Sequence, residues 1–166
     1  MQDRRTLFGA IGAGIAALFG WRALDGDSEA APARVFEISK TAAEWRQQLS
    51  SQQFHVLREH GTEWAGSSPL NREKRRGLFS CAGCNLPLFF SDTKYESGTG
   101  WPSFWRPLPD AVETKTDRSL LMARTEVHCR RCGGHLGHVF NDGPRPTGLR
   151  YCMNGVAMNF TADQAA

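Results

Sequence analysis

Cysteine is the residue type whose spacing says most about chemistry in this chain. Four of the five cysteines form two C-x-x-C knuckles, "CAGC" with Cys81 and Cys84 and "CRRC" with Cys129 and Cys132. Each knuckle supplies two thiolates at the end of a turn, which is half of a tetrahedral zinc site. Glycines inside or after the knuckles let the backbone wrap closely around a metal. We therefore predict one structural zinc ion per chain, held by these four cysteines.

Two other uses of the paired cysteines stay open on the sequence alone. In an oxidising compartment each pair could close a disulfide. Such a disulfide would close a loop of only four residues, which removes little chain entropy and stabilises the fold weakly. Either pair could also be a thioredoxin-like redox dithiol, although neither opens a helix in a β-α-β pattern.

The fifth cysteine, Cys152, stands alone in "GLRYCMNGVAMNF", a stretch that reads as a strand. A lone cysteine on a strand is more often a small buried apolar side chain than a nucleophile. Arg150 and Asn154 lie two residues to either side, so strand alternation places the three side chains on one face. A cation and an amide beside a thiol favour its reactive thiolate form. Three further candidates for chemistry lie in Gly-rich stretches: His135, His138 and Trp101.

The elements that must position these residues are short. Thr41, with Glu44 three residues later, and Ser50 or Ser51 predict the caps of two helices within 39–60, and Gly61 is expected to end the second. Strand patterns follow from residue 77 onward: around the first knuckle, at 88–90, at 119–129, in "HLGHVFND" and in "GLRYCMNGVAMNF". Because no strand precedes a long helical crossover, we predict antiparallel sheets in a mainly β protein with N-terminal helices.

The first 33 residues are expected to lie outside this fold. Arg4 and Arg5 precede an apolar stretch rich in Gly and Ala, and Ala31 and Ala33 offer a small-residue cleavage signal. This pattern is typical of a twin-arginine export signal. We predict that 1–33 is the signal and that 34–166 is the mature domain, exported to the periplasm or beyond. The alternative is a membrane anchor formed by an uncleaved signal.

Charge argues against a nucleic-acid partner. Removal of 1–33 would raise the formal net charge only from +3 to +4. The single basic run, "NREKRRG" at 71–77, is short and contains Glu73. We interpret it as a solvated loop, and we expect no stable membrane association once the signal is cleaved.

Four motifs, taken together, resemble the B-type methionine sulfoxide reductases: "CAGCNLPLF", "SGTGWPSF", "HCRRCGGHLGHVFNDGP" and "RYCMN". They occur in the family's order, and the similarity runs from about residue 45 to residue 160. The resemblance implies two antiparallel sheets in a tent-like arrangement, fastened by the zinc ion of the two knuckles. It also implies an oxidoreductase that reduces the R epimer of methionine sulfoxide.

The resemblance also implies a role for each candidate residue. Cys152 would be the nucleophile and would become a sulfenic acid as the sulfoxide oxygen is transferred, with Arg150 supporting its thiolate. Two aromatic residues match an apolar wall for the substrate methyl group: Trp101 and Phe140. Three polar residues match the donors that hold and protonate the oxygen: His135, His138 and Asn154.

One position departs from the family pattern. Many members carry a resolving cysteine two residues before the tryptophan of "GWPSF", and this chain has Thr99 there. The chain has no cysteine beyond Cys152 and the expected zinc ligands, so an internal disulfide would dismantle the metal site. We therefore expect an external thiol, such as a thioredoxin-like domain, to reduce Cys152. The implied substrates are oxidised proteins outside the cytoplasm, and we expect the enzyme to be a monomer.

Two other functions remain as alternatives. In a zinc-knuckle binding module Cys152 would be structural, and in a Cys–His hydrolase it would act with His138. The binding module gives no joint role to Trp101, the histidines and Arg150. Reduction of an R-sulfoxide with dithiothreitol, lost in Cys152→Ser, discriminates among the three functions.

Overall fold

The computed structural model describes residues 35–119 and 122–163, so the predicted export signal lies outside it. Among these residues two α-helices come first, α1 (Ala42–Gln48) and α2 (Ser51–Glu59). No helix among the described residues is both long enough and apolar enough to cross a membrane. Nine strands follow: β1 (Gly77–Cys81), β2 (Pro87–Phe90), β3 (Lys94–Tyr95), β4 (Ser103–Phe104), β5 (Val112–Asp117), β6 (Arg124–Cys129), β7 (His135–Phe140), β8 (Arg150–Met153) and β9 (Met158–Ala162).

The two helices begin where their capping motifs predict. The Thr41 hydroxyl accepts from the Glu44 backbone N–H, and the Glu44 carboxylate accepts from the Thr41 N–H at 2.7 Å. Ser50 and Gln53 form the same reciprocal box on α2. The end of α2 differs from the prediction, because His60 rather than Gly61 takes the left-handed conformation, with φ of 56°. Histidine tolerates that conformation better than most residues, and the His60 ring contacts Glu126.

The strands form two antiparallel sheets, which confirms the predicted fold class. The small sheet has the order β2-β1-β9, and the large sheet has the order β3-β4-β8-β7-β6-β5. All pairings are antiparallel. Aromatic side chains join the sheets: the Phe104 ring of the large sheet stacks on Phe89 at 4.3 Å and meets Phe79 edge-on at 5.0 Å. All three rings are fully buried, each contributing about 1.5–3 kcal/mol of hydrophobic stabilisation.

Two strand predictions were wrong in extent. The stretch 119–129 was expected to be one strand, but β6 begins only at Arg124 and β5 lies before it. The polar edge strand β5 lacks the apolar alternation that marked the others. The stretch "GLRYCMNGVAMNF" is not one strand, because a 3-10 turn at Gly155–Ala157 divides it. Its first half, β8, belongs to the large sheet and its second half, β9, to the small sheet.

Gly137 permits the close approach of the two strands that carry the candidate chemistry. A Cβ atom at this position would lie 2.2 Å from the backbone carbonyl oxygen of Cys152. No side chain fits at that distance, so only glycine allows β7 and β8 to pair here. His135 and His138 lie on either side of this glycine, and His138 is the direct cross-strand partner of Cys152.

Candidate functional site

The four paired cysteines converge at the junction of the two sheets. Cys81 is the last residue of β1 in the small sheet, and Cys129 is the last residue of β6 in the large sheet. The Sγ atoms of Cys81 and Cys132 lie 3.7 Å apart, and those of Cys84 and Cys129 lie 3.5 Å apart. All four sulfurs lie within 4.8 Å of one another. Each knuckle therefore faces the other.

These distances fit a metal and not a set of disulfides. Zn–S bonds of about 2.3 Å in a tetrahedron place the sulfurs about 3.8 Å apart, whereas a disulfide needs about 2.05 Å. All five cysteines are free thiols. The cluster is compatible with one structural metal ion that ties the small sheet to the large one.

Cys152 lies in a different environment, in the middle of the large sheet. Its Cα pairs with Ser103 of β4 on one side and with His138 of β7 on the other. The side chain is half-buried, so solvent reaches it. The Thr99 hydroxyl lies 3.8 Å from its sulfur.

Arg150 brings a fixed positive charge to the same strand. Its guanidinium donates two hydrogen bonds to the Asp142 carboxylate, at 2.9 and 2.8 Å, and stacks over the Phe140 ring at 4.4 Å. Asp142 raises the pKa of Arg150, and the Cys152 thiolate adds to this effect. The pair in turn lowers the pKa of Asp142. This fixed charge lies on β8, two residues before Cys152.

Each of the two predicted histidines donates a hydrogen bond to its own carboxylate. His135 Nδ1 lies 2.8 Å from Glu126, and His138 Nε2 lies 2.8 Å from Asp117. The two imidazole rings are 5.4 Å apart. Burial lowers the pKa of His138, and the contact with Asp117 opposes that effect. The other ring nitrogen of His135, Nε2, is buried and has no hydrogen-bond partner among the described residues.

Glu126 is the centre of a buried charge network that the sequence did not indicate. Its carboxylate is 3% exposed and also contacts His60 at 3.1 Å and Lys115 at 3.0 Å. Burial would raise the pKa of Glu126, but hydrogen bonds from His135 and Lys115 outweigh it and lower the pKa to about 2. The carboxylate therefore stays charged and fixes the orientation of the His135 ring.

Asn154 and Trp101 are connected through Glu63, in the loop after α2. The Asn154 amide accepts from the Glu63 backbone N–H at 3.0 Å and donates to the Leu136 carbonyl at 3.1 Å. The Trp101 indole N–H donates to the Glu63 carbonyl at 3.2 Å. The Glu63 carboxylate accepts from two backbone N–H groups at the start of the 3-10 turn after β8, those of Gly155 and Val156.

Comparison with known proteins shows the family to which this chain belongs. The SelR domain family matches residues 49–162 of the chain. A peptide methionine sulfoxide reductase MsrB from Agrobacterium fabrum is 53% identical over 125 residues, which is 75% of this chain and 93% of that protein. The chain belongs to the B-type methionine sulfoxide reductases.

Other members of the family give the same result. An MsrB from Leptospira interrogans is 52% identical over 75% of this chain and 96% of its own length. The chloroplastic peptide methionine sulfoxide reductase B1 of rice is 46% identical over 78% of this chain and 61% of its own length. The reductase is therefore an oxidoreductase that reduces methionine sulfoxide, as the motifs predicted. A non-catalytic zinc module and a Cys–His hydrolase do not describe this family.

Sequence reasoning missed the carboxylates that orient the reductase's polar side chains. Asp142 could have been suspected from its place in "HVFNDGP", a few residues before Arg150. Asp117 and Glu126 carry no such signal, because their contacts depend on the register of β5, β6 and β7. Glu63 lies in the loop "TEWAGSSP", and its four hydrogen bonds depend on how that loop folds against residues distant in the sequence.

Proposed function

We propose that this reductase acts on the R epimer of methionine sulfoxide, chiefly in oxidised proteins, through a sulfenic acid on Cys152 that an external thiol reduces. The observation that supports this proposal best is the setting of Cys152. The half-buried thiol lies on one strand with Arg150, directly opposite His138 on the next.

The chemical step transfers one oxygen atom and two electrons. The Cys152 thiolate attacks the sulfoxide sulfur, and the sulfoxide oxygen takes up a proton. The oxygen then passes to the Cys152 sulfur, methionine leaves as the thioether, and Cys152 remains as the sulfenic acid. The substrate sulfur is reduced by two electrons and the cysteine sulfur is oxidised by two. Arg150 assists the first step because it stabilises the thiolate.

Reduction requires hydrogen-bond donors to the sulfoxide oxygen, and these bonds become stronger as negative charge develops on that oxygen. The carboxylates of Glu126 and Asp117 orient the rings of His135 and His138, the groups that we propose hold the oxygen. Nδ2 of Asn154 carries two hydrogens, and its contact with Leu136 uses only one. These three side chains therefore offer a polar side to the substrate.

The substrate methyl group needs an apolar side. The hydrogen bond from Trp101 to Glu63 fixes the plane of the indole ring, and Arg150 holds Phe140 against β8. We propose that the aromatic rings contact the methyl group and the polar side chains contact the oxygen, which would distinguish the two groups on a chiral sulfur. This arrangement supports selection of one epimer.

Separate assays of the two epimers test this function. Wild-type enzyme with dithiothreitol should reduce a dabsyl-labelled R-sulfoxide and leave the S-sulfoxide unchanged. Cys152→Ser should lose at least about 10³-fold in turnover, because it removes the nucleophile. The comparison variant, Cys84→Ser, removes a thiol from the knuckles. Any turnover that it loses should accompany a lower thermal stability. Reduction of the S epimer, or full activity in Cys152→Ser, would contradict the proposal.

Recycling by an external thiol follows from Thr99 and from the cysteine cluster. The sulfenic acid condenses with a thiol of the reductant to a mixed disulfide and water, and a second thiol of the reductant releases Cys152. We propose a thioredoxin-like protein as this reductant. Mass spectrometry after one turnover without reductant should find sulfenic acid at residue 152. A disulfide between Cys152 and any of the other four cysteines would argue against external recycling.

We also propose that zinc occupies the four-cysteine cluster. The donor set is four thiolates at tetrahedral spacing, which is the arrangement that zinc prefers in structural sites. When bound, the zinc would stabilise the fold and take no part in the reaction. Metal analysis of the purified protein should give one zinc per chain, and a ratio well below one would exclude the site.

For cellular location we propose export by the twin-arginine route. The support is the Arg4–Arg5 pair with the apolar stretch that follows it. Fractionation should find the wild-type protein outside the cytoplasm as a monomer, and Arg4→Lys with Arg5→Lys should retain it inside. A wild-type protein that stays in the cytoplasmic fraction, or in the membrane, would contradict cleavage and export.

A further inference from the structure

A row of three hydroxyl groups leads from Cys152 into the large sheet. The sulfur lies 3.8 Å from the Thr99 hydroxyl, which lies 2.9 Å from the Ser97 hydroxyl. Ser97 in turn lies 2.7 Å from the hydroxyl of Ser103, which lies 3.1 Å from the Trp101 carbonyl oxygen. We call Thr99, Ser97 and Ser103 the hydroxyl row. Its inner end, Ser103, is fully buried.

Each hydroxyl in the row can donate one hydrogen bond at a time, so the row has two consistent orientations. When Cys152 is a thiol, its S–H donates to Thr99, the hydroxyls donate inward in turn, and Ser103 donates to the Trp101 carbonyl. When Cys152 is a thiolate, the three bonds between the sulfur and Ser103 reverse, and Ser103 gives up its bond to the Trp101 carbonyl. Ser103 then donates to Ser97, Ser97 donates to Thr99, and Thr99 donates to the sulfur.

We propose that Thr99 is a positioning residue that donates a hydrogen bond to the Cys152 thiolate, and that the hydroxyl row reverses when Cys152 ionises. This inference rests on the proposed role of Cys152 as the nucleophile. The Thr99 hydroxyl can accept a hydrogen bond from the thiol and donate one to the thiolate. It therefore stabilises the thiolate without making an unfavourable contact with the thiol. Thr99 therefore assists the thiolate at the position where many relatives carry a cysteine.

The backbone around Thr99 is built to hold its hydroxyl at this place. Gly98 and Gly100, on either side, take positive φ angles of 74° and 93°, which favour glycine. The Gly100 carbonyl accepts hydrogen bonds from the Gly66 N–H at 2.7 Å and from the Asn71 amide at 2.8 Å. Two elements outside the loop thus fix the segment that carries Thr99.

Other charged or titratable groups also face Cys152 and must be separated from Thr99. Arg150 lies on the same strand, paired with Asp142, and His138 lies opposite on β7. The Tyr95 phenol comes from β3; burial raises its pKa, and the Cys152 charge adds to that. None of these groups belongs to the hydroxyl row, so substitutions in the row leave them in place.

The test compares Thr99→Val with Thr99→Ser in the zinc-loaded enzyme. Alkylation of Cys152 by iodoacetamide is followed from pH 5 to 10 by peptide mass mapping, which separates Cys152 from the knuckle cysteines. Thr99→Val keeps the shape and removes the donor, so alkylation at pH 7 should slow on the order of three- to tenfold and the profile should move to higher pH. Thr99→Ser keeps a hydroxyl and should follow the wild-type profile.

The row itself is tested by Ser97→Ala, which should shift the profile in the same direction by a smaller factor. A Thr99→Val profile that overlaps wild type would overturn the proposal. Equal shifts in Thr99→Val and Thr99→Ser would overturn it as well, because they would indicate lost packing. Alkylation needs no sulfoxide, so this outcome is read independently of turnover. If the profile shifts as expected but wild-type enzyme reduces no R-sulfoxide, the proposed function fails and the hydroxyl row stands.

Discussion

Two regions of this molecule use the same side chain for opposite purposes. In the cysteine cluster, Cys81, Cys129 and Cys132 are at most 1% exposed, and each sulfur has other sulfurs as its neighbours. In the large sheet, Cys152 is half-buried beside a guanidinium, an imidazole and a hydroxyl. The comparison shows that one residue type lies in two different environments, which is the basis for proposing that one set of thiols binds a metal and the other thiol reacts.

The cysteine cluster and the Cys152 region also differ in the interactions that stabilise them. The cluster closes a gap between two sheets and depends on all four of its members. The Cys152 region is held by strand pairing and by carboxylates, so its members can be changed singly. Substitutions should therefore affect stability in the first region and activity in the second.

The largest effect is expected in the cluster. Cys81→Ser removes one of the four thiolates, and the loss of a structural zinc would remove up to about 10–16 kcal/mol of binding energy that supports the fold. The variant should contain no zinc and show no cooperative thermal unfolding transition. Cys152→Ser is the matched control and should keep both the zinc and the transition. A well-folded, zinc-free Cys81→Ser protein would break the comparison.

An intermediate effect is expected at Arg150. Arg150→Met removes the charge beside Cys152 and should lower turnover on the order of tenfold or more, because less thiolate forms at neutral pH. Arg150→Lys keeps the charge but loses the two-point contact with Asp142, so its turnover should fall less. Kinetics at saturating R-sulfoxide measure both. Equal losses in the two variants would mean that the shape of the guanidinium, and not its charge, matters.

The smallest effect is expected from acid, through Glu126. Because its pKa in the folded protein is about 2, below the ordinary 4.5, Glu126 stabilises the fold above pH 4.5. This stabilisation is lost as the pH falls from 4.5 towards 2, and it amounts to on the order of 1–3 kcal/mol. Urea unfolding at several pH values should show a weaker pH dependence in Glu126→Gln than in wild type.

Glu96→Gln is the control for this acid effect, since the Glu96 side chain is 68% exposed and forms a long ion pair with Lys74 at 3.9 Å. Its stability should follow the wild-type pH curve. If Glu126→Gln also follows that curve, the buried network does not stabilise the fold, and the large-sheet region contributes less to stability than proposed.

Local patterns predicted some parts of this structure and could not predict others. The helix caps at Thr41 and Ser50 depend on contacts three residues apart, and the knuckles on spacing alone, so the sequence shows both. The partners of His135 and His138 depend on strand register, and a two-residue strand such as β4 has no periodicity to detect. The hydroxyl row was not predicted for this reason, because the pairing of β4 with β8 is what places Ser103 beside Cys152.

The division of residues 150–162 between the two sheets links the cysteine cluster to the strand that carries Cys152. Cys81 is the cross-strand partner of Met158, and the neighbouring Ala82 N–H donates to the Ala157 carbonyl at 2.9 Å, so the knuckle and the strand that carries Cys152 share one short tether. Peroxide that oxidised the clustered sulfurs would loosen that tether. It would then lower the reductase activity without reacting with Cys152 itself. The same stress that creates the damage would then set the lifetime of the enzyme that mends it.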